Sequence, residues 1–206
     1  MPIVKDREYR AMIQPLSLIT TGAAKRIETE HYVEGFATTF GKPYMLYEYD
    51  GIKFYEVIDR AALNAADLTD VIFQYNHGGK VLARNKMAKG KPSSLLVEPQ
   101  SEGFFIAADL GLTEEAREMF DAIEKGLIYK MSWAFTVAED AYNKDTRTRT
   151  ILKIKKVYDV SAVSFPANAD TDIAARSWID GVIEAEKREA LARQLELVKI
   201  KLKLEV

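Results

Sequence analysis

The chain has 206 residues, 48% apolar and 29% charged, a balance that supports one well-buried domain with room for an appendage. Its net charge of −2 excludes a global electrostatic pull toward nucleic acid or an anionic membrane, and the lack of cysteine excludes disulfides, thiolate metal sites and a cysteine nucleophile. With no signal-peptide pattern at the N-terminus and no apolar run long enough to span a bilayer, the expectation is a soluble, cytoplasmic protein.

Residues 1–30 mix polar and apolar side chains without a firm period. They are expected to form a partly ordered arm, with a short strand or extended segment between Arg7 and Leu18 and a loop from Thr20 to Ala24. His31 to Phe40 has strand composition, with Gly35 as a plausible bulge. Tyr44 to Tyr49 and Ile52 to Ile58 flank Asp50-Gly51, a pair that supplies the positive φ angles of a tight hairpin turn. Asp59 to Asp70 is rich in Ala and Leu and predicts a short helix. A short buried strand from Val71 is expected to end at His77, with Gly78-Gly79 releasing the chain. Val81 to Arg84 resumes as strand, Lys86 to Pro92 is a basic loop, and Ser94–Glu98 with Phe104–Leu110 reads as a second hairpin.

Thr113 is placed to cap a helix whose first residues, Glu114 and Glu115, suit its positive end. Ala116, Met119, Phe120 and Ile123 make the apolar stripe of that helix, and Gly126 ends it. The next stretch, Tyr129 to Val137, alternates strictly. Tyr129, Met131, Trp133, Phe135 and Val137 share one bulky face, so burying it turns the Ser132 hydroxyl to the opposite face, among small neighbours that a substrate chain can approach. Thr148 to Lys156 alternates again. Val157 to Phe165 has no clearly polar face and is expected to be buried on both sides, where a carboxylate such as Asp159 is costly without donors.

From Ser177 the chain turns helical and highly charged. Leu191, Leu195, Val198 and Leu202 recur at heptad spacing, as in a partner-binding face or short coiled coil, while Ile200 to Leu204 also alternates as a strand would. The whole reads as a mainly β chain with flanking helices, in the α+β class, as a barrel or a sandwich.

The chain holds only two histidines. His31 opens a strand beside Glu30 and reads as a surface residue. His77 closes a buried strand with glycines behind it. An imidazole there can take a hydroxyl proton, and a carboxylate beyond the ring would fix its tautomer. Ser132, His77 and Asp159 supply those three types from three separate strands. Other motifs fit worse. Asn85 and Pro92 break a phosphate-binding loop around Gly90-Lys91, and the chain has neither a His-Glu-x-x-His zinc motif nor a Gly-x-Ser-x-Gly elbow. No cofactor or metal is expected. The basic runs Lys80–Lys91 and Lys144–Lys156 read as solvated loops and strand edges rather than a nucleic-acid surface.

The order of Val33–Phe40, Tyr55–Ile58, Asn76-His77, Leu82–Arg84, Gly126-Leu127, Lys130–Phe135 and Asp159–Asn168 resembles the prohead maturation proteases of tailed bacteriophages, from about Tyr32 to Arg176. That resemblance implies a herpesvirus-protease-like fold, a closed or partly closed β-barrel with a C-terminal helical tail. It divides the chain into an arm (1–30), a protease domain (31–176) and a tail (177–206). It also implies a serine endopeptidase acting inside the prohead on scaffolding protein, on the major capsid protein and on itself, in a homodimer or larger homo-oligomer. The family's histidine falls on His77, its nucleophile on Ser132, and its acidic residue, commonly Glu, on Asp159. Herpesvirus relatives use a second histidine as third member, and His31 lies on the wrong side of the chain order for that. The alternative is a catalytically inactive relative that serves as a capsid scaffolding or interaction protein.

Overall fold

A computed structural model describes residues 7–15, 25–165 and 173–204. The strands are β1 (Glu8–Pro15), β2 (Tyr32–Thr39), β3 (Tyr44–Tyr49), β4 (Ile52–Ile58), β5 (Ile72–Tyr75), β6 (Gly78–Arg84), β7 (Leu95–Pro99), β8 (Gly103–Asp109), β9 (Lys130–Asn143) and β10 (Thr148–Val163). The helices are α1 (Glu114–Glu124) and α2 (Ile173–Leu204). The fold is mainly β with two α-helices, in the α+β class.

Where the resemblance implies a closed or partly closed barrel, the described residues form two sheets and no closed barrel. One runs β1-β9-β10-β4-β3 with β5 and β6 branching from β10, and the other is β2-β8-β7. β10 explains why the first sheet stays open. Its outer edge is divided, pairing with β4 along Thr148–Ile151 and with β5 along Asp159–Ala162. The sheet therefore forks, and a forked ladder has no single edge to close on.

The two sheets pack face to face, with Met131, Trp133 and Phe135 of β9 buried among β8 residues such as Phe104 and Ile106. The Phe104 and Trp133 ring centroids lie 5.6 Å apart. Full burial of each such side chain stabilises by about 1.5–3 kcal/mol. Tyr129, expected on that same face, is exposed. A Cβ on Gly103 would lie 2.0 Å from the Thr38 carbonyl oxygen, so only glycine permits this approach of β8 to β2. The bulge in β2 falls between Phe36 and Thr38 rather than at Gly35, which pairs with Ile106.

Several elements follow directly from local chemistry. Asp50 (φ 50°) and Gly51 (φ 74°) make the β3–β4 turn. The Thr113 side chain accepts from the Ala116 amide, and Gly126 adopts φ 72° just past α1. Asp59–Asp70 departs from the expected helix. It forms successive turns, with Ala62, Asn64 and Ala66 amides each bonded to a carbonyl three residues back. The Ala62 carbonyl is taken instead by the Ile154 amide of β10, which withdraws it from any helical ladder.

β1 pairs antiparallel with β9 and forms the edge of its sheet. Its inward charges join a buried ionic cluster that the sequence did not disclose. Arg10 Nε meets Glu56 Oε1 at 2.6 Å, and Arg10 also pairs with Glu8. Arg149 Nη1 meets Glu8 Oε2 at 2.6 Å and Glu56 Oε2 at 3.2 Å, while its Nε meets Asp140 Oδ2 at 2.6 Å. Burial alone would raise the Glu56 carboxyl, but Arg10 and Arg149 outweigh it and hold the group below its ordinary range. Burial and the adjacent Glu56 push the Tyr44 hydroxyl well above its usual value, so it remains a donor to Glu56. Arg149, read from sequence as part of a solvated basic run, is fully buried.

α2 covers one end of this cluster. Trp178, Ile179 and Val182 pack on Leu46 and Phe54 of the β3–β4 hairpin, and the Arg149 guanidinium carbon sits 4.7 Å from the Trp178 ring centroid. Beyond that contact Leu191, Leu195 and Val198 are exposed, and the segment from Ile200 to Leu204 is helical rather than extended.

Candidate active site

β9 and β10 run antiparallel with Ser132 opposite Ser161 and Ala134 opposite Asp159. Directly opposed residues share a face, so Ser132, Asp159 and Ser161 all project away from the Trp133 core. β5 lies parallel to the other edge of β10, with Tyr75 opposite Ala162. The chain then reverses at Asn76-His77 and returns as β6, Tyr75 facing Gly78.

His77 therefore sits in a two-residue hairpin turn rather than at the end of a strand. Asn76 (φ 48°) and His77 (φ 55°) both occupy the left-handed region, which costs a non-glycine residue about 1 kcal/mol or more. Bonds to β10 hold the turn. The Asn76 amide donates to the Ala162 carbonyl at 3.0 Å, the Ser164 amide donates to Asn76 Oδ1 at 3.2 Å, and the His77 amide donates to Ser161 Oγ at 3.3 Å. The Tyr75 and Ser164 hydroxyls also bond.

In this position the imidazole bridges the other two residues. His77 Nδ1 lies 2.6 Å from Asp159 Oδ1, and Nε2 lies 2.6 Å from Ser132 Oγ. An ionised carboxylate only accepts, which puts the ring proton on Nδ1 and leaves Nε2 to accept from the serine hydroxyl. The aspartate reaches the ring, and Ser161 Oγ, two residues along the same strand face, donates to the same Asp159 Oδ1 at 2.8 Å. One hydroxyl thus supports both the carboxylate and the backbone of the histidine turn. Ser161 was not singled out from the sequence, although the period-2 spacing from Asp159 puts it on the required face.

The sequence carried no signal for the contribution of β1. Ser132 Oγ lies 3.0 Å from the Arg10 carbonyl, to which it can donate, and the Tyr9 ring meets the His77 ring edge-on at 4.7 Å between centroids. Ser132 is consequently 0% exposed, not open among small neighbours as its strand pattern implies, while the His77 side chain keeps 15%. His31 lies elsewhere, packed edge-on against Phe120 with centroids 5.1 Å apart. Among the described residues no set of three or more His, Asp or Glu side chains converges as metal ligands.

Several charges of the basic runs are paired within the fold. Arg84 bonds Asp70 at 2.7 Å, Lys144 bonds Glu189 at 2.7 Å, Lys156 bonds Asp67 at 2.7 Å, and Lys80 pairs with Glu115. Among the described residues no helix is long and apolar enough to cross a membrane.

The family model for the caudovirus prohead serine protease matches residues 20–183, most of the chain. The chain belongs to the caudovirus prohead serine protease family. Membership supports a capsid maturation protease, and the matched span includes β5, β9 and β10, which carry or adjoin the three residues described above. No curated protein and no solved structure matches the chain.

Proposed function

We propose that this prohead protease is a serine endopeptidase that uses Ser132 as nucleophile, His77 as general base and acid, and Asp159 as the group that orients His77. The observation that carries this reading is the imidazole held 2.6 Å from both the serine hydroxyl and the carboxylate. Ser132 Oγ attacks the scissile carbonyl as Nε2 takes its proton, and Asp159 stabilises the imidazolium that results. Nε2 then returns the proton to the leaving amine, and water repeats the sequence on the acyl-enzyme. The first transfer needs its partners within about 3.2 Å, and Ser132 Oγ lies 2.6 Å from His77 Nε2.

The substrates that fit a prohead protease are the scaffolding protein or domain, the major capsid protein and the chain itself, cut inside the prohead in the host cytoplasm. We assign catalysis to residues 31–176, with residues 1–30 as an arm and 177–206 as a tail, in a homodimer or larger homo-oligomer. The test is co-expression with the major capsid and scaffolding proteins of the same phage. Wild type should shorten them, and Ser132→Ala should leave every precursor at full length. Unchanged processing in that variant would end the reading.

A second reading is an inactive relative that acts as a capsid scaffolding or interaction protein. The exposed Leu191, Leu195 and Val198 on α2 favour it. It predicts intact precursors with wild type and failed assembly when residues 184–206 are removed.

A further inference from the structure

His77 stands where the backbone favours a different residue. Tyr75 pairs with Gly78 across a turn whose two central residues, Asn76 (φ 48°) and His77 (φ 55°), are both left-handed. A hairpin turn of that hand takes asparagine well at its first central position and glycine at its second. Here the imidazole occupies the second position, and the glycines Gly78 and Gly79 come one place too late to relieve it. Strain of this kind persists at a reacting group only when the surrounding structure over-determines it.

Asn76 supplies much of that determination. Asparagine is among the few residues with a side chain that enter the left-handed region readily. Its amide donates to the Ala162 carbonyl at 3.0 Å, and its Oδ1 accepts from the Ser164 amide at 3.2 Å. One residue thus grips β10 and the chain just beyond it on either side of Val163. The Tyr75 and Ser164 hydroxyls add a third tie at the same place. The strand gripped in this way is the one that carries Asp159 and Ser161.

The hold matters because the ring has two appointments on different strands. His77 Nδ1 meets Asp159 of β10 and Nε2 meets Ser132 of β9, each at 2.6 Å. Its own backbone tie to Ser161 Oγ is longer, at 3.3 Å. A turn that rotates or changes type carries the ring away from one partner or both, and a misplacement of about 1 Å is enough to slow a reaction about a hundredfold. Asn76 itself is exposed, a setting in which replacing a side chain ordinarily changes little.

We infer that Asn76 is a positioning residue: by keeping the turn left-handed and bonded to Ser164, it sets the His77 ring between Ser132 and Asp159. The inference rests on the proposed roles of those three residues, and its test separates the two. The probe is a fluorophosphonate that forms an adduct on Ser132. Its limiting rate, kinact, needs the base in place, whereas its binding constant, KI, does not.

Asn76→Ala removes both the left-handed preference and the acceptor, and should lower kinact about tenfold or more. KI should stay within about twofold of wild type, the split that a fault in the reacting geometry alone produces. Asn76→Asp keeps the preference and the acceptor and should restore most of the rate. Asn76→Gly keeps the backbone freedom without the acceptor and should fall between, about threefold below wild type. A kinact for Asn76→Ala equal to that of wild type, or an Asn76→Asp protein as slow as Asn76→Ala, would overturn the inference while Ser132 labelling kept the protease reading intact. If wild type never carries an adduct on Ser132, the protease reading fails and the inference falls with it. Should Asn76→Ala not fold, as judged by circular dichroism, Asn76→Gly decides: a reduced kinact supports the inference and a wild-type kinact overturns it.

Discussion

Replacing Arg149 with Met tests whether the buried ionic cluster organises the sheet around the site. The guanidinium is fully buried and bonds Asp140 and Glu8 at 2.6 Å and Glu56 at 3.2 Å. Methionine fills similar volume but leaves three carboxylates to Arg10, which reaches only Glu56 and Glu8 among them, so Asp140 loses the partner described for it. Breaking a buried pair from one side costs about 3–5 kcal/mol. In a domain of this size each kcal/mol lowers Tm by about 2–4 °C, so the expected fall is about 6–20 °C. Thermal and urea unfolding of wild type and variant measure it, with Lys144→Ala as the control. That exposed pair with Glu189 should contribute less than about 1 kcal/mol. A loss for Arg149→Met within about 0.5 kcal/mol, the range of ordinary surface changes, would refute this account of the cluster.

Other expectations follow from single contacts. Ser161→Ala removes the donor to Asp159 and the acceptor of the His77 amide. A bond to a charged group contributes about 1.5–3 kcal/mol, so kcat should fall by about tenfold or more with KM little changed, and Ser161→Thr should restore most of it. Gly103→Ala drives a methyl into the Thr38 carbonyl and should destabilise by about 3 kcal/mol in urea unfolding. Glu56 is held below its ordinary value, so its contribution is fully present above an unfolded-state value of about 4.3 and is lost as pH falls through the lower folded value. The urea midpoint should therefore drop below about pH 4, and Glu56→Gln should flatten that dependence.

What the sequence made legible was mainly local. Asp50-Gly51 carries its own turn chemistry, Thr113 and Gly126 mark the ends of α1, and alternation along β9 put Trp133 inside and Ser132 on the other face. The Asp59–Asp70 stretch misled because Ala and Leu favour a helix only while their carbonyls stay free for it, and a distant amide from Ile154 takes the one at Ala62. The ionic cluster was invisible for a similar reason. Glu8 lies in a stretch without a firm period, Glu56 shares a strand face with apolar Phe54 and Ile58, and Arg149 falls in a basic run, so only their mutual proximity in the fold makes burial affordable. His77 is an intermediate case. Its neighbours Gly78-Gly79 marked the end of a strand, but the chain turns on Asn76-His77 itself, where bonds from β10 hold a conformation those residues would otherwise avoid. The cover supplied by β1 had no local signal, since the pairing spans most of the chain length.

The most direct measurement is mass mapping of the intact protein after exhaustive treatment with a fluorophosphonate. The account predicts a single adduct on Ser132, absent from the His77→Ala protein, where no base takes the hydroxyl proton. An adduct on a different serine, or none on Ser132 after prolonged reaction under conditions in which the protein cleaves its capsid substrate, would contradict it.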